Sequence, residues 1–192
     1  MTNFLVKTLL TPEHKKYIEP LRENNMLIIK TINNAADYCK ISSGAVELNI
    51  EDFYFTRAIT EIEKINTAAY IKVKFMKSRD VILSTDYKKF IEMIMHVLSY
   101  SFSNKLEVFV LSSVKNDTFE MYFKDNGPRI SKYQRDTVFE GFIHEDTSNK
   151  SLSMPIARGI ALLLGGDLAV DSSIEYGTTF KFTMKTRDVE SD

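Results

Sequence analysis

Lys124-Asp125-Asn126-Gly127-Pro128 sets a carboxylate, an amide and a glycine where a strand pattern gives way to a loop. The preceding Thr118-Phe119-Glu120-Met121-Tyr122-Phe123 places Phe119, Met121 and Phe123 on one face, the period-2 pattern of a half-buried strand. Asp125 is therefore expected to project from a rigid edge into a loop, the kind of place where ligand sites sit. Read alone, Asp125-Asn126-Gly127 is more simply an ordinary turn, since all three residue types favour turns. Other chemistry-bearing residues are sparse. His14, His96 and His144 match no zinc-ligand spacing, and the lone Cys39 cannot form an internal disulfide, which fits a reducing, cytoplasmic compartment.

A chain of 192 residues, 44% hydrophobic and 27% charged, can bury one good core with a small appendage. A net charge of -1 gives no electrostatic reason to expect nucleic acid. The first ten residues lack a basic n-region, and no run reaches the ~18 apolar residues of a membrane span, so neither a signal peptide nor a span is expected.

The elements that must position Asp125 follow from pattern. Thr11-Pro12-Glu13 starts a helix with a capping hydroxyl, a first-turn proline and an acid at the positive end. Ile18, Leu21, Asn25, Ile28, Ile32, Ala35 and Cys39 then alternate spacings of 3 and 4, an a/d stripe that predicts a helix from Pro12 to about Lys40. Such a stripe points to self-association or a partner helix, with packing on its own domain as the alternative. Pro20 falls off it. After Ile41-Ser42-Ser43-Gly44 the pattern predicts a strand near 47–50, a helix over 56–68, strands at 70–75 and 81–83, and a helix capped by Asp86 running to about Phe102. A hairpin over 106–124, a helix over 154–164 ending at Gly165-Gly166, and a closing hairpin to Lys185 complete an α+β fold: a two-layer α/β sandwich with a mixed sheet. The expected organisation is a helix over 1–44, a domain over 45–186 and a tail over 187–192.

Four further features fall in a fixed order along these elements. Asp86-Tyr87-Lys88-Lys89-Phe90 opens a helix, Asp125-Asn126-Gly127 ends a strand, Val138-Phe139-Glu140-Gly141-Phe142 lies in a loop, and Gly177-Thr178-Thr179-Phe180 opens the last strand. In this order they resemble the N box, G1 box, F box and terminal G-x-T-F of sensor histidine kinases, whose ATP-binding domain is shared with Hsp90 and gyrase. The segment from Leu10 to Gly44 is similar to that family's second dimerisation helix and its exit. The resemblance implies an ATP pocket in which Asp125 accepts from the adenine amine and Gly127 admits the base, with Asn126 beside them.

The departures from the family's pattern concern the phosphates. His96 and Tyr100 stand where the N box has its two asparagines, and an imidazole is a poor substitute for an oxygen ligand to Mg²⁺. For His96 itself the competing readings are a helix histidine with a local hydrogen bond and an unusual metal ligand. Ser151-Leu152-Ser153-Met154 replaces the glycine-rich lid sequence, removing glycine conformations where backbone N–H groups should cradle phosphate. Lys150 precedes it as a point charge. The first dimerisation helix, with its phosphoacceptor histidine, is absent from the sequence read here, and His14 lacks the acceptor pattern. Glu92 stands where gyrase-like ATPases carry their general base. The resemblance thus implies a degenerate signalling or scaffold module (a pseudokinase) with weak or lost ATP binding. Its alternatives are an active histidine kinase fragment completed in trans, a slow ATPase using Glu92, and a phosphotransfer protein serving a response regulator. The implied partners are a second copy or a partner helix, and a kinase or response regulator of a two-component phosphorelay.

Overall fold

The computed structural model describes residues 12–68, 73–76, 80–103, 107–141, 152–171 and 177–186. The chain divides between Asp37 and Tyr38 into two compact units. Helix α1 (Pro12–Ser42) forms the first unit and contributes its last turn to the second, with Pro20 held inside the helix. It ends in paired bonds from Gly44 N to the Ile41 carbonyl (3.1 Å) and from Ala45 N to the Lys40 carbonyl (3.2 Å), a Schellman closure that satisfies the terminal carbonyls. On the stripe, Leu21, Ile28 and Ile32 are each more than half exposed.

The second unit carries β1 (Ile50–Tyr54), α2 (Phe55–Ala68), β2 (Val73–Met76), β3 (Ile82–Asp86) and α3 (Tyr87–Ser103). It continues with β4 (Val108–Lys115), β5 (Thr118–Asp125), α4 (Lys132–Thr137), α5 (Ser153–Leu163), β6 (Gly166–Asp171) and β7 (Thr179–Lys185). Five strands make one sheet in the order β2-β4-β5-β7-β6, parallel only between β2 and β4, which is the expected mixed sheet. β1 and β3 form a separate antiparallel ribbon.

Asp86 caps α3 as its position predicts: Oδ1 accepts from Lys89 N at 2.9 Å. Its Oδ2 accepts from Asn49 N at 2.8 Å, which explains the one misplaced strand. The strand expected at 47–50 begins only at Ile50, because pairing with β3 sets its register at Ile50 opposite Asp86 and the residues before it lead in to the cap. Between β4 and β5, Asn116 and Asp117 take φ of 46° and 58°, the mirror-image turn that matches strand twist. Helix α4 was not anticipated, although its capping box, Ser131 and Gln134, is written in the sequence.

The alternation in β5 holds: Phe119, Met121 and Phe123 are buried, and β7 adds Phe180 and Phe182 on the same face. Against this face lie Phe90, Ile94 and Val97 of α3, Ala58 and Ile62 of α2, and Ile156 and Ile160 of α5. Phe55 meets Phe119 edge-on at 5.0 Å, and Phe90 meets Phe182 at 6.0 Å. Gly159 sits in the middle of α5, where alanine would be the better helix former, because a Cβ there would lie 2.5 Å from Ile41 Cγ2. No helix among the described residues is long and apolar enough to cross a membrane.

Candidate functional site

The period of β5 carries through its last residue, so Asp125 shares the inward face with Phe123 and is only 4% exposed. The expected projection into the loop is therefore corrected: the carboxylate points into the protein at the end of the sheet. Its Oδ1 accepts from Gly127 N at 2.9 Å and from Thr178 N at 3.0 Å, while Asp125 N donates to the Thr178 carbonyl at 2.9 Å. Gly177 has φ of 78°, and a Cβ there would fall 2.2 Å from the Asp125 carbonyl oxygen. Only glycine meets both conditions. The two motifs, Asp125-x-Gly127 and Gly177-Thr178, are thus one structural unit joining the end of β5 to the start of β7.

Burial pushes the Asp125 carboxyl pKa above the ordinary aspartate value, and the Thr178 and Gly127 N–H groups pull part of the way back. Oδ2 takes no hydrogen bond from the described residues. A buried carboxylate with one oxygen fixed and one open can accept a hydrogen bond from a ligand amine. Asn126, in contrast, is spent on structure: its N donates to the Glu107 carbonyl at 3.2 Å and its Oδ1 accepts from Glu107 N at 3.0 Å.

Tyr100 reaches the same space from α3. Its ring meets Phe180 edge-on at 5.5 Å and 88°, and its phenol pKa is raised first by burial and then by the charge of Asp125. Phe139 meets Phe180 at 6.3 Å, so Phe180 has two aromatic neighbours. His96 lies one turn before Tyr100 and is half-buried, and its carbonyl accepts from the Ser99 hydroxyl at 3.0 Å. Ser99 Oγ also lies 3.0 Å from Ser153 Oγ. Ser153, Met154 and Ile156 have no exposed surface, so the first turn of α5 is sealed against α3. One oxygen of the corner is thus open beside a space that holds the Tyr100 ring and the closed start of α5.

Glu92 pairs with Lys89 Nζ at 2.7 Å, so a cation already holds the carboxylate suggested as a base. Lys150 lies outside the described residues, as do Ser151, His144 and the tail from 187. No group of three or more His, Cys, Asp or Glu side chains among the described residues is arranged to hold a metal. Arg158 escaped sequence reasoning. Its guanidinium lies 4.9 Å from the Phe139 ring centroid and its Nε 3.2 Å from Asp167 Oδ1, which fixes Phe139 against Phe180. A positive residue in the middle of α5 was its only signal.

Comparison with known proteins is consistent with this geometry. The family described as histidine kinase-, DNA gyrase B- and HSP90-like ATPases matches residues 87–188. Hybrid signal transduction histidine kinase B of Dictyostelium discoideum is 22% identical over 95% of this chain and 10% of its own length. The autoinducer 2 sensor kinase/phosphatase LuxQ of Vibrio harveyi is 23% identical over 94% of this chain and 23% of its own. The chain thus spans less than a quarter of these relatives. Among solved structures, full-length ShkA in complex with AMPPNP superposes with a TM-score of 0.74 at 17% identity, over 94% of this chain and 41% of that one. The chain belongs to the histidine kinase-, gyrase B- and HSP90-like ATPase family.

Proposed function

We propose that this member of the family is a signalling module that keeps the fold and the base-reading corner but has given up triphosphate chemistry, and that it acts by binding partners. The observation that carries this reading is the Tyr100 ring, which lies on Phe180 and shares a space with Asp125. In that position it takes volume that phosphates would need. The bond between Ser99 and Ser153 supports the same reading, since it ties down the helix start whose N–H groups would otherwise meet an anion. Adenosine, or the base end of a nucleotide, remains a fitting ligand for Asp125 and Gly127. Among the described residues no group of acidic, histidine or cysteine side chains is arranged for Mg²⁺, and His96 and Tyr100 stand where the family carries oxygen-donating amides. The exposed Leu21, Ile28 and Ile32 support a second copy or a partner helix as the occupant of the α1 stripe. By analogy with the sensor kinases it resembles, a kinase or response regulator of a two-component system is the proposed signalling partner, and the cytoplasm the proposed location.

The intact geometry of Asp125, Gly127 and Thr178 favours one second reading, an ATP-dependent histidine kinase fragment whose acceptor helix comes from another chain. Thermal unfolding with ATP or ADP, each with and without Mg²⁺, separates the two. A ligand at 100 times its dissociation constant adds about 2.7 kcal/mol to stability. The proposed function predicts no Mg²⁺-dependent shift. A shift that needs Mg²⁺ and vanishes in Asp125→Asn would establish the second reading instead.

A further inference from the structure

Asn126-Gly127 is the only Asn-Gly pair in the sequence, and Asn126 is exposed. Asparagine is among the thermally labile residue types. Its characteristic reaction is attack by the next residue's backbone nitrogen on its own side-chain amide, and glycine has no Cβ to obstruct that approach. Chemistry of this kind needs only water. Gly127 N gives up its proton to solvent base and bonds to Asn126 Cγ, the bond from Cγ to Nδ2 breaks, and the leaving nitrogen takes up a proton and departs as ammonia. Water then opens the resulting succinimide at either carbonyl, giving aspartate or isoaspartate. The net exchange is water in and ammonia out.

The folded chain holds both reacting groups. Gly127 N donates to Asp125 Oδ1 at 2.9 Å, so losing its proton would set an amide anion against a buried carboxylate. Asn126 is fixed at two points on the residue before β4: its N donates to the Glu107 carbonyl at 3.2 Å and its Oδ1 accepts from Glu107 N at 3.0 Å. Turning Cγ onto Gly127 N breaks the second of these bonds. Asp125 is itself anchored, since its Oδ1 also accepts from Thr178 N at 3.0 Å.

We propose that Asn126 is a site of spontaneous conversion to aspartate and isoaspartate that the Asp125 carboxylate holds in check, so that the residue is modified when this corner opens. The isoaspartate product routes the main chain through Cβ and Cγ and so adds a methylene between Asp125 and Gly127. That removes the spacing on which Oδ1 reaches both Gly127 N and Thr178 N, and the modified corner stays unfastened. The site shares Asp125 with the nucleotide corner but does not depend on a nucleotide binding there.

The test is ageing of the full chain in mildly alkaline buffer, with and without unfolding guanidinium, followed by trypsin and mass spectrometry. Cleavage after Lys124 and Arg129 releases Asp125–Arg129, in which Asn126 carries the only side-chain amide. Labelling by a protein isoaspartate methyltransferase marks the isoaspartate fraction. The folded parent should convert at least about tenfold more slowly than the unfolded parent, as the loss of a hydrogen bond to a charged group implies. Asp125→Asn keeps an oxygen acceptor for Gly127 N but removes the charge, so the folded variant should convert about fivefold faster than the folded parent, with fragment ions placing the change at 126. Because that variant is expected to be the more stable of the two, faster conversion there cannot come from unfolding. Asp125→Ala, which takes the acceptor away, should convert faster still. Equal rates for the folded and unfolded parent, an unchanged rate in folded Asp125→Asn, or conversion in the unfolded chain that spares Asn126 would each overturn the proposal.

Discussion

Replacing Tyr100 by alanine should weaken the fold and open the site at the same time. The ring is half-buried and meets Phe180 edge-on at 5.5 Å. Such an aromatic pair contributes about 1 kcal/mol beyond area burial. Complete truncation of a fully buried aromatic costs ~3–5 kcal/mol with such a pair included, so the half-buried ring loses about half of that. The total, roughly 2 kcal/mol, corresponds to a fall in Tm of about 4–8 °C for a chain of this size. Thermal unfolding measures that loss. Titration with adenosine and ATP measures the second effect, because the vacated volume adjoins the Asp125 carboxylate. Tyr100→Phe is the control: it keeps the ring and should leave both Tm and nucleotide affinity near the parent values. If Tyr100→Ala unfolds at the parent temperature, the ring is not packed as described. If it loses stability yet binds nucleotide no better, Tyr100 is not what excludes the phosphates.

Three further outcomes follow from particular contacts. Gly177→Ala forces a left-handed φ on a residue with Cβ and drives that atom into the Asp125 carbonyl, so a loss of about 2–4 kcal/mol is expected in denaturant unfolding. Asp125→Asn should be more stable than the parent at neutral pH, since the net effect of burial is to disfavour the ionised carboxyl. The folded-state pKa is raised, so the parent gains relative stability as pH falls through it and the variant's advantage shrinks; unfolding from pH 7 downward measures the difference, and an advantage that grows on acidification would contradict the sign. Sedimentation of the full chain should give more than the monomer mass, and Ile28→Lys with Ile32→Lys should return it to the monomer. A parent chain that is already monomeric at high concentration would leave the stripe to a different protein.

Local signals of cap and period are legible in the sequence itself. Asp86 announces its helix, and Phe119, Met121 and Phe123 announce their sheet face, because each depends on neighbours a few residues away. The same period, carried two residues further, already places Asp125 inside. Expecting it in the loop gave turn propensity priority over strand parity, and the bond to Thr178, 53 residues later, decides the matter. The start of β1 depends on β3, more than thirty residues away, and its local pattern does not contain that register. Helix α4 has a legible capping box but only 6 residues, too short for a periodic apolar face. Within the candidate site, Asp125, Gly127 and Tyr100 were recognisable by residue type and order. The clamp of Arg158 on Phe139 and the pairing of Ser99 with Ser153 were not, since they exist only where α5 meets α3 and the residues just after α4.

Calorimetric titration of the full chain with adenosine and with ATP, the latter with and without Mg²⁺, tests the central claim most directly. On the proposed reading the base corner is kept and the phosphate space is filled, so ATP should bind no tighter than adenosine and Mg²⁺ should not strengthen it. ATP binding that exceeds adenosine by about tenfold or more and depends on Mg²⁺ would show that the triphosphate is held and that Tyr100 does not exclude it.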